Sequence, residues 1–306
     1  MKPQNKAFAN NAGFTLMELL VVLATTGLLV VLVLPTLGFS KGKSQAVYCL
    51  NHFNQLIQAC AMYTRDNQGL YPPNPDDGNT IPGYDWCAGD VSGWMPNIAA
   101  GGNAEAGNSS YLTNPAYSLL ALYLNRSATV FKCPADPRYC LYNGKVVPVV
   151  RSVSANAGVG TVDASFLTVG SHSGRPTTPV PGAWLTGNHS ETRSQYATFG
   201  KSTSFTNCSP SDIWVYVDDD PWTINDASMS VIAALPEFID YPSTQHQNAT
   251  SFAFADGHSE LHKWQSTVLI HESEPGLTVV STGPPKADWF WWAWHATRSS
   301  ITGTVP

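Results

Sequence analysis

The chain has 306 residues, 12% of them charged, and a formal net charge of -6 at pH 7. This length can bury one large core or two modest ones, while an acidic balance without a Lys/Arg-rich run argues against nucleic acid as the main partner. The 24 Gly and 22 Pro favour short strands joined by turns over a helical bundle.

The N-terminal part of the chain changes abruptly from polar to apolar. Residues 1–13 are polar and lead directly into an apolar run over residues 14–39. As a helix, a run of about 26 residues would be roughly 39 Å long, enough to cross a bilayer core. A secretory signal peptide has its cleavage site after the apolar stretch, whereas here the small residue Gly13 precedes it. We therefore predict a transmembrane helix over residues 14–39.

A carboxylate, Glu18, lies one turn into this apolar run. A charge within hydrocarbon is costly, so an acid in such a segment is a functional hypothesis that needs a partner. Near the start of a helix the cost is smaller, because the side chain can reach the headgroups and the helix dipole favours an anion there. A tolerated interfacial acid is the alternative interpretation.

Residues Gly13-Phe14-Thr15-Leu16-Met17-Glu18-Leu19 resemble the type III signal of type IV pilins and type II secretion pseudopilins. The resemblance implies that a prepilin peptidase removes residues 1–13 as a leader by cutting between Gly13 and Phe14, and that Phe14 is then N-methylated. It also implies that Glu18 neutralises the terminal amine of a neighbouring subunit during assembly. Pro35 lies where many pilins have a proline that loosens the helix by removing a backbone donor.

A second helical pattern follows the apolar run. Beyond Lys43, apolar residues recur at three- and four-residue spacing, and the pattern stops at Asp66-Asn67-Gln68-Gly69. We predict an amphipathic helix over residues 40–69 and a β-rich head over residues 70–306. The resemblance implies an α+β, pilin-like fold class: a long N-terminal helix, half transmembrane and half amphipathic, packed on an antiparallel β-sheet head. It places the chain in the inner membrane, single-pass, with its head in the periplasm or on the cell surface.

Asp256-Gly257 gives the clearest hairpin signal of the head. A two-residue Asp-Gly turn of type I′ suits an antiparallel pair, and its register pairs Phe252 with Leu261 on the core face. Polar side chains of the second strand would share the opposite face: His258, Glu260 and His262. A zinc site there is one interpretation, and an exposed polar strand face is the simpler one.

His246 precedes Asp256-Gly257 by nine residues, which resembles the His-x9-Asp-Gly signature of a large group of pilin-like proteins. Cys49-Leu50-Asn51 and Phe131-Lys132-Cys133-Pro134-Ala135-Asp136 resemble further landmarks of that group. We expect His246 to brace the hairpin through a hydrogen bond.

Two other sets of residues suggest local chemistry. Carboxylates concentrate at one strand end: Asp218, Asp219, Asp220 and, close behind, Asp226. They are a candidate calcium site, because hard cations prefer several oxygen ligands, with a solvated acidic turn as the alternative. Among the six cysteines, Cys133 and Cys140 bracket a turn-rich segment and are a candidate disulfide. Cys49 and Cys60 lie roughly 16 Å apart along the predicted helix, so each pairs elsewhere or stays a buried thiol.

The sequence contains no His-Glu-x-x-His or P-loop pattern, and we predict no enzyme activity and no cofactor besides the calcium candidate. The expected function is that of a structural subunit of a type IV pilus-like or type II secretion pseudopilus filament. The expected partners are the prepilin peptidase, other pilin or pseudopilin subunits and the inner membrane. One alternative is a surface protein that binds carbohydrate or a secreted substrate through the aromatic tail Trp289–His295, although we expect this tail to pack on the head. The other is a metal-dependent hydrolase.

Overall fold

The computed structural model describes residues 14–75, 80–92, 104–163, 174–188, 195–265, 281–282 and 286–299, without the side chains of residues 32–41 and 281–286. The chain forms two compact units, Met1–Ser44 and Gln45–Pro306. The helices are α1 (Leu16–Asp66), α2 (Ser110–Thr113) and α3 (Lys286–Ala296), and short 3-10 helices lie at Ala104–Gly107, Thr129–Phe131 and Pro210–Asp212. The strands are β1 (Tyr139–Tyr142), β2 (Lys145–Pro148), β3 (Val153–Asn156), β4 (Thr161–Val162), β5 (Thr178–Pro179), β6 (Trp214–Asp218), β7 (Ser228–Met229), β8 (Glu237–Phe238), β9 (Ala249–Phe254), β10 (Ser259–Lys263) and β11 (Ser281–Thr282).

Helix α1 has a defined start and a defined end. At its start the Thr15 backbone N–H and hydroxyl donate to Glu18 Oε2 at 2.8 and 2.7 Å, and the Glu18 N–H donates back to Thr15 Oγ1 at 3.3 Å. This reciprocal arrangement is a capping box. At its end Gly69 has a φ of +83°, and its N–H donates to the Thr64 carbonyl at 2.8 Å. The predicted stop is confirmed, because the helix ends at Asp66.

Among the residues that the structure describes, no helix is both long enough and apolar enough to cross a membrane. The described side chains of the apolar run end at Val31 and include the charged Glu18, whereas a span needs about 20 consecutive, predominantly apolar residues. This finding contradicts the predicted transmembrane helix over residues 14–39. It equally contradicts the predicted single-pass location in the inner membrane.

The second unit is built around a five-stranded sheet with the order β10-β9-β6-β3-β7. Neighbouring strands are antiparallel except β3 and β7, which are parallel. The pairs β1–β2, β4–β5 and β8–β11 form separate two-stranded sheets. The central sheet is therefore mixed, and the other strands of the domain form small independent sheets.

Both faces of the five-stranded sheet are buried. On one face Phe53 of α1 belongs to a core cluster that includes Val153 and Val215. On the other face Trp292 of α3 packs with Trp214 and Phe252. Because neither face meets water at the centre of the sheet, all residues of β6 and β9 are buried, and apart from Asp218 at the end of β6 these strands are apolar or small instead of alternating with polar residues.

The pilin-like fold class expected from the resemblance is thus wrong. It required a transmembrane half-helix, which is absent from the described residues, and a purely antiparallel sheet, whereas the observed sheet is mixed. The domain is mostly sheet and loop, and its central sheet lies between helical layers. The physical reason is burial. Parallel strand pairs occur in sheets that are covered on both faces, whereas an antiparallel sheet can leave one face open to water.

The predicted hairpin exists, but its register differs by one residue. Phe252 pairs with Glu260, and Phe254 donates its N–H to the His258 carbonyl at 2.9 Å. The loop therefore holds three residues, with Gly257 at a φ of +97° closing it as in a type I turn followed by a left-handed residue. Because side chains alternate along a strand, this slip moves the polar residues of β10 to the same face as Phe252.

The aromatic tail packs on the domain as expected. Trp289 and Trp292 of α3 are buried, and the Trp289 indole N–H donates to the Ile232 carbonyl at 3.1 Å. Trp292 stacks on Trp214 with ring centroids 4.8 Å apart. The tail helix thus completes the second core cluster.

A candidate metal centre

Four metal-ligating side chains from distant parts of the sequence meet inside the second unit. They are Cys49, Cys133, Asp218 and His246, and all four residues are buried. Their ligand atoms all lie within 4.8 Å of one another. We refer to these residues as the four-residue cluster.

Each member of the cluster comes from a different element. Cys49 lies on α1, and Asp218 is the last residue of β6. Cys133 follows the 3-10 helix Thr129–Phe131. His246 lies in the turn that precedes β9. The cluster therefore joins a helix, a loop and the sheet.

Local hydrogen bonds fix these positions. The Cys133 N–H donates to Ser152 Oγ at 2.7 Å, and the Ala135 N–H donates to Cys133 Sγ at 3.4 Å. The Ser243 N–H donates to the Asp218 carbonyl at 2.8 Å, which ties the segment before His246 to the end of β6. The ligand atoms are thus held by backbone bonds from neighbouring segments.

Distances within the cluster show which atoms approach each other. Cys133 Sγ lies 3.2 Å from His246 Nε2, and Asp218 Oδ2 lies 3.7 Å from the same nitrogen. The Cys49 thiol lies 3.8 Å from Asp218 Oδ2. In a nucleophile–histidine–acid relay the acid holds the ring nitrogen opposite the nucleophile. Here thiol and carboxylate share Nε2, so the cluster differs from such a relay.

Burial is the main influence on the pKa values of Asp218 and His246 in the cluster. It raises the pKa of the Asp218 carboxyl well above its ordinary value and lowers the pKa of the His246 imidazole. The pKa of the Cys133 thiol is raised first by its hydrogen bond with Cys49 and then by burial. Without a cation the cluster therefore favours neutral groups, because a low-dielectric interior penalises charge.

The two ends of the His-x9-Asp-Gly pattern lie at opposite ends of β9. His246 faces Cys133 and Asp218, so the expectation that it braces the hairpin is wrong. Asp256 instead supports the loop itself, because its Oδ1 accepts from the His258 N–H at 3.1 Å. Gly257 supplies the left-handed conformation that closes the loop.

The four carboxylates predicted as a calcium site do not converge. Asp218 faces the four-residue cluster, whereas Asp219 Oδ2 accepts from Ser154 Oγ at 2.6 Å. Asp220 Oδ1 accepts from the Trp222 N–H, and Asp226 Oδ1 accepts from the Ser228 N–H. Since successive residues at a strand end point in different directions, this donor set does not fit an ion that needs six to eight oxygens. The first three are also buried, so a solvated acidic turn is wrong as well.

The predicted disulfide between Cys133 and Cys140 is not formed. All six cysteines are described and carry free thiols. Cys133 belongs to the four-residue cluster, while Cys140 packs in a separate apolar cluster with Val91 and Val149. Cys140 is the buried residue of strand β1.

The polar residues of β10 do not form a metal site in the described structure. The His258 ring stacks on Phe254, with centroids 4.3 Å apart, and its Nδ1 lies 2.6 Å from Asp256 Oδ1. The His262 ring stacks on Trp291 of α3 at 3.5 Å. These histidines are therefore separated by their aromatic partners.

The residues of the N-terminal signal are described in part. Gly13 lies outside the described residues, and Pro35 lies within α1 with its side chain outside them. Phe14 is 76% exposed, and Glu18 closes the capping box with Thr15. The carboxylate therefore has a local structural role in addition to the one that the resemblance implies.

Sequence reasoning named every member of the four-residue cluster but did not bring them together. Cys49, Cys133 and His246 each lie in one of the landmark segments, and Asp218 begins the acidic run. The signal that could have joined them is chemical: the landmark segments together offer two thiols and an imidazole, which are zinc-type ligands. Comparison of the chain with models of protein families, with curated proteins and with solved structures finds no match.

Proposed function

We propose that this chain is a subunit of a type IV pilin-like filament, cut between Gly13 and Phe14 and assembled through the N-terminal part of α1. The observation that carries this proposal is the exposure of apolar side chains along that segment. Exposed large residues occur on every side of the helix: Phe14, Leu16, Met17, Leu19, Leu20, Val21, Val22, Leu23, Leu28, Leu29, Val30 and Val31. A helix that is apolar all round needs burial on all sides.

The occupant that we assign to this surface is the same segment of further copies. Contiguous apolar patches of this kind mark interaction sites, and parallel helices of identical sequence can bury each other in a bundle. Glu18 is the acidic group near the start of this segment. Cleavage after Gly13 would create a positive amine on Phe14, so neighbouring copies would offer opposite charges to each other.

Processing is the first step to test. The full chain is coexpressed with a prepilin peptidase, and the mature chain is measured by intact mass and by N-terminal peptide sequencing. We expect loss of residues 1–13 and one added methyl group on Phe14. A Gly13→Leu variant serves as the uncut control. A wild-type chain that still begins at Met1 would refute the processing step.

Assembly is the second step, and it requires the charge of Glu18 to be separated from its capping role. Glu18→Gln keeps a side chain that can complete the capping box but removes the charge. Thr15→Ser keeps both the capping hydroxyl and the charge of Glu18, and it is the matched control. We expect Glu18→Gln to lower incorporation into filaments, measured by pelleting and electron microscopy, while Thr15→Ser assembles normally. Normal incorporation of Glu18→Gln would refute the role of the charge.

A further inference from the structure

We infer that Cys49, Cys133, Asp218 and His246 bind one divalent cation of the zinc class in a closed tetrahedral site. Two thiolates, one imidazole and one carboxylate are four ligands of the types that Zn²⁺ takes from proteins. Thiolates select against Mg²⁺ and Ca²⁺, which require oxygen ligands. The donor set therefore defines the chemical class of the ion.

The spacing of the ligand atoms matches such a site. With metal–ligand bonds of about 2.0–2.3 Å, the edges of a tetrahedron are about 3.3–3.8 Å long. The observed separations are 3.2 Å for Cys133 Sγ and His246 Nε2, 3.7 Å for His246 Nε2 and Asp218 Oδ2, and 3.8 Å for Cys49 Sγ and Asp218 Oδ2. A central ion would require shifts of only a few tenths of an ångström along these edges.

The buried carboxylate of the cluster points to a cation as well. Among the residues that the structure describes, Asp218 Oδ1 is buried and has no hydrogen-bond partner. A buried carboxylate is costly unless a proton, a paired cation or a metal compensates it. The Asp218 oxygens have two thiols and an imidazole nearby but accept no salt bridge from Lys or Arg in the described structure. A divalent cation would compensate this carboxylate.

The site would be structural, because protein groups supply all four positions of the tetrahedron. Catalytic zinc sites leave one position to water or substrate, whereas structural sites are closed. Cys49 and His246 are 1% and 3% exposed, respectively, so water has little access. A metal at this position would cross-link α1 to the end of β6 and to the loop of Cys133. Its binding energy would therefore stabilise the folded domain.

The first experiment uses the purified full-length chain kept under a reducing agent. Metal content is measured after equilibration with Zn²⁺ and removal of the unbound ion, and we expect about one zinc ion per chain. Replacing it by Co²⁺ should give the visible bands of a tetrahedral site and a thiolate charge-transfer band. A strong chelator should lower the melting temperature, since ligand removal destabilises the native state. A chain that takes up neither metal would overturn the inference.

The second experiment compares single cysteine variants. Cys49→Ser and Cys133→Ser each remove one ligand, whereas Cys60→Ser removes a buried thiol on the same helix that lies outside the cluster. We expect Cys60→Ser to bind zinc as the wild type does. Cys49→Ser and Cys133→Ser should each bind zinc at least about tenfold more weakly. Equal affinity in all three variants would overturn the inference. If a cluster variant does not fold, the cobalt spectrum of the wild-type chain still decides whether two thiolates bind the metal.

A competing interpretation is a disulfide between Cys49 and Cys133, whose sulfurs are close enough to react after local movement. Thiol counting under denaturing conditions and peptide mapping distinguish the two. Two free thiols released together with the zinc ion support the metal site, and a linked peptide in a metal-free chain refutes it. Neither result bears on the cleavage after Gly13, so this inference and the proposed function can fail separately.

Discussion

At the scale of single residues, Gly257 decides the register of the hairpin. Its φ of +97° lies in the region that side-chain-bearing residues avoid, while Asp256 is not among the described residues with positive φ. A type I′ turn would require positive φ at both positions. A Cβ at Gly257 would meet only Gln58 Nε2, at an ordinary contact distance of 3.4 Å. The constraint at this position is therefore the backbone.

Replacing Gly257 with Ala should destabilise the protein by about 1–2 kcal/mol, because a left-handed conformation is strained for L-residues. Gly257→Asn should cost less, since Asn tolerates that conformation better. Urea unfolding of both variants measures the difference, with Ala255→Gly as a loop control that leaves Gly257 intact. Equal stability of the Ala variant and the wild type would contradict a left-handed residue at this position.

At the scale of elements, much of the fold is readable from local patterns. The stop of α1 after Asp66 and the strands β6, β9 and β10 follow from apolar periodicity and from turn residues. The register of β10 does not, because Asp256-Gly257 fits a two-residue and a three-residue loop equally well. Packing against α3 favours the observed register of β10, because this register places His262 against Trp291 and Glu260 beside Phe252.

The contact between β10 and α3 should make stability depend on pH. Burial lowers the pKa of His262 to about 4, while Asp288 raises it and His295 lowers it by smaller amounts. In the unfolded chain this pKa is about 6.5, so between these values the unfolded state binds more protons. The stability that the buried, neutral His262 ring contributes is therefore complete above pH 6.5 and is lost as the pH falls toward 4. The pKa shift sets an upper limit of about 3 kcal/mol on the free energy of unfolding that is lost over this range. We expect half of that or less, because the ring is partly exposed.

A His262→Phe variant tests this dependence while keeping an aromatic ring against Trp291. Thermal unfolding between pH 7 and pH 4 should show a shallower loss of stability for this variant than for the wild type. His258→Phe, at the residue that precedes β10, is the control and should lose stability with falling pH as the wild type does, because His262 is still present. If His262→Phe and the wild type lose stability in parallel, the His262 ring is not the group that titrates.

At the scale of the whole molecule, the cluster is beyond the reach of local patterns. Cys49 and Asp218 are 169 positions apart in the sequence, and they meet only because α1 and β6 pack in the same core. Pattern reasoning identifies thiols, carboxylates and imidazoles one at a time, since periodicity reports the face of an element and not its neighbour. The same limit explains why the sequence pattern groups Asp218 with Asp219 and Asp220, from which the fold separates it.

The two compact units lead to a prediction about the whole chain. Leu23 in the first unit and Leu122 in the second are both 63% exposed, so an Asp at either position removes a similar apolar surface. If assembly depends on the N-terminal part of α1, Leu23→Asp should shift the sedimentation profile toward monomer, and Leu122→Asp should not. Both should unfold at the wild-type temperature, because exposed positions contribute within about 0.5 kcal/mol to stability. Assemblies of unchanged size in Leu23→Asp would mean that another surface holds the copies together.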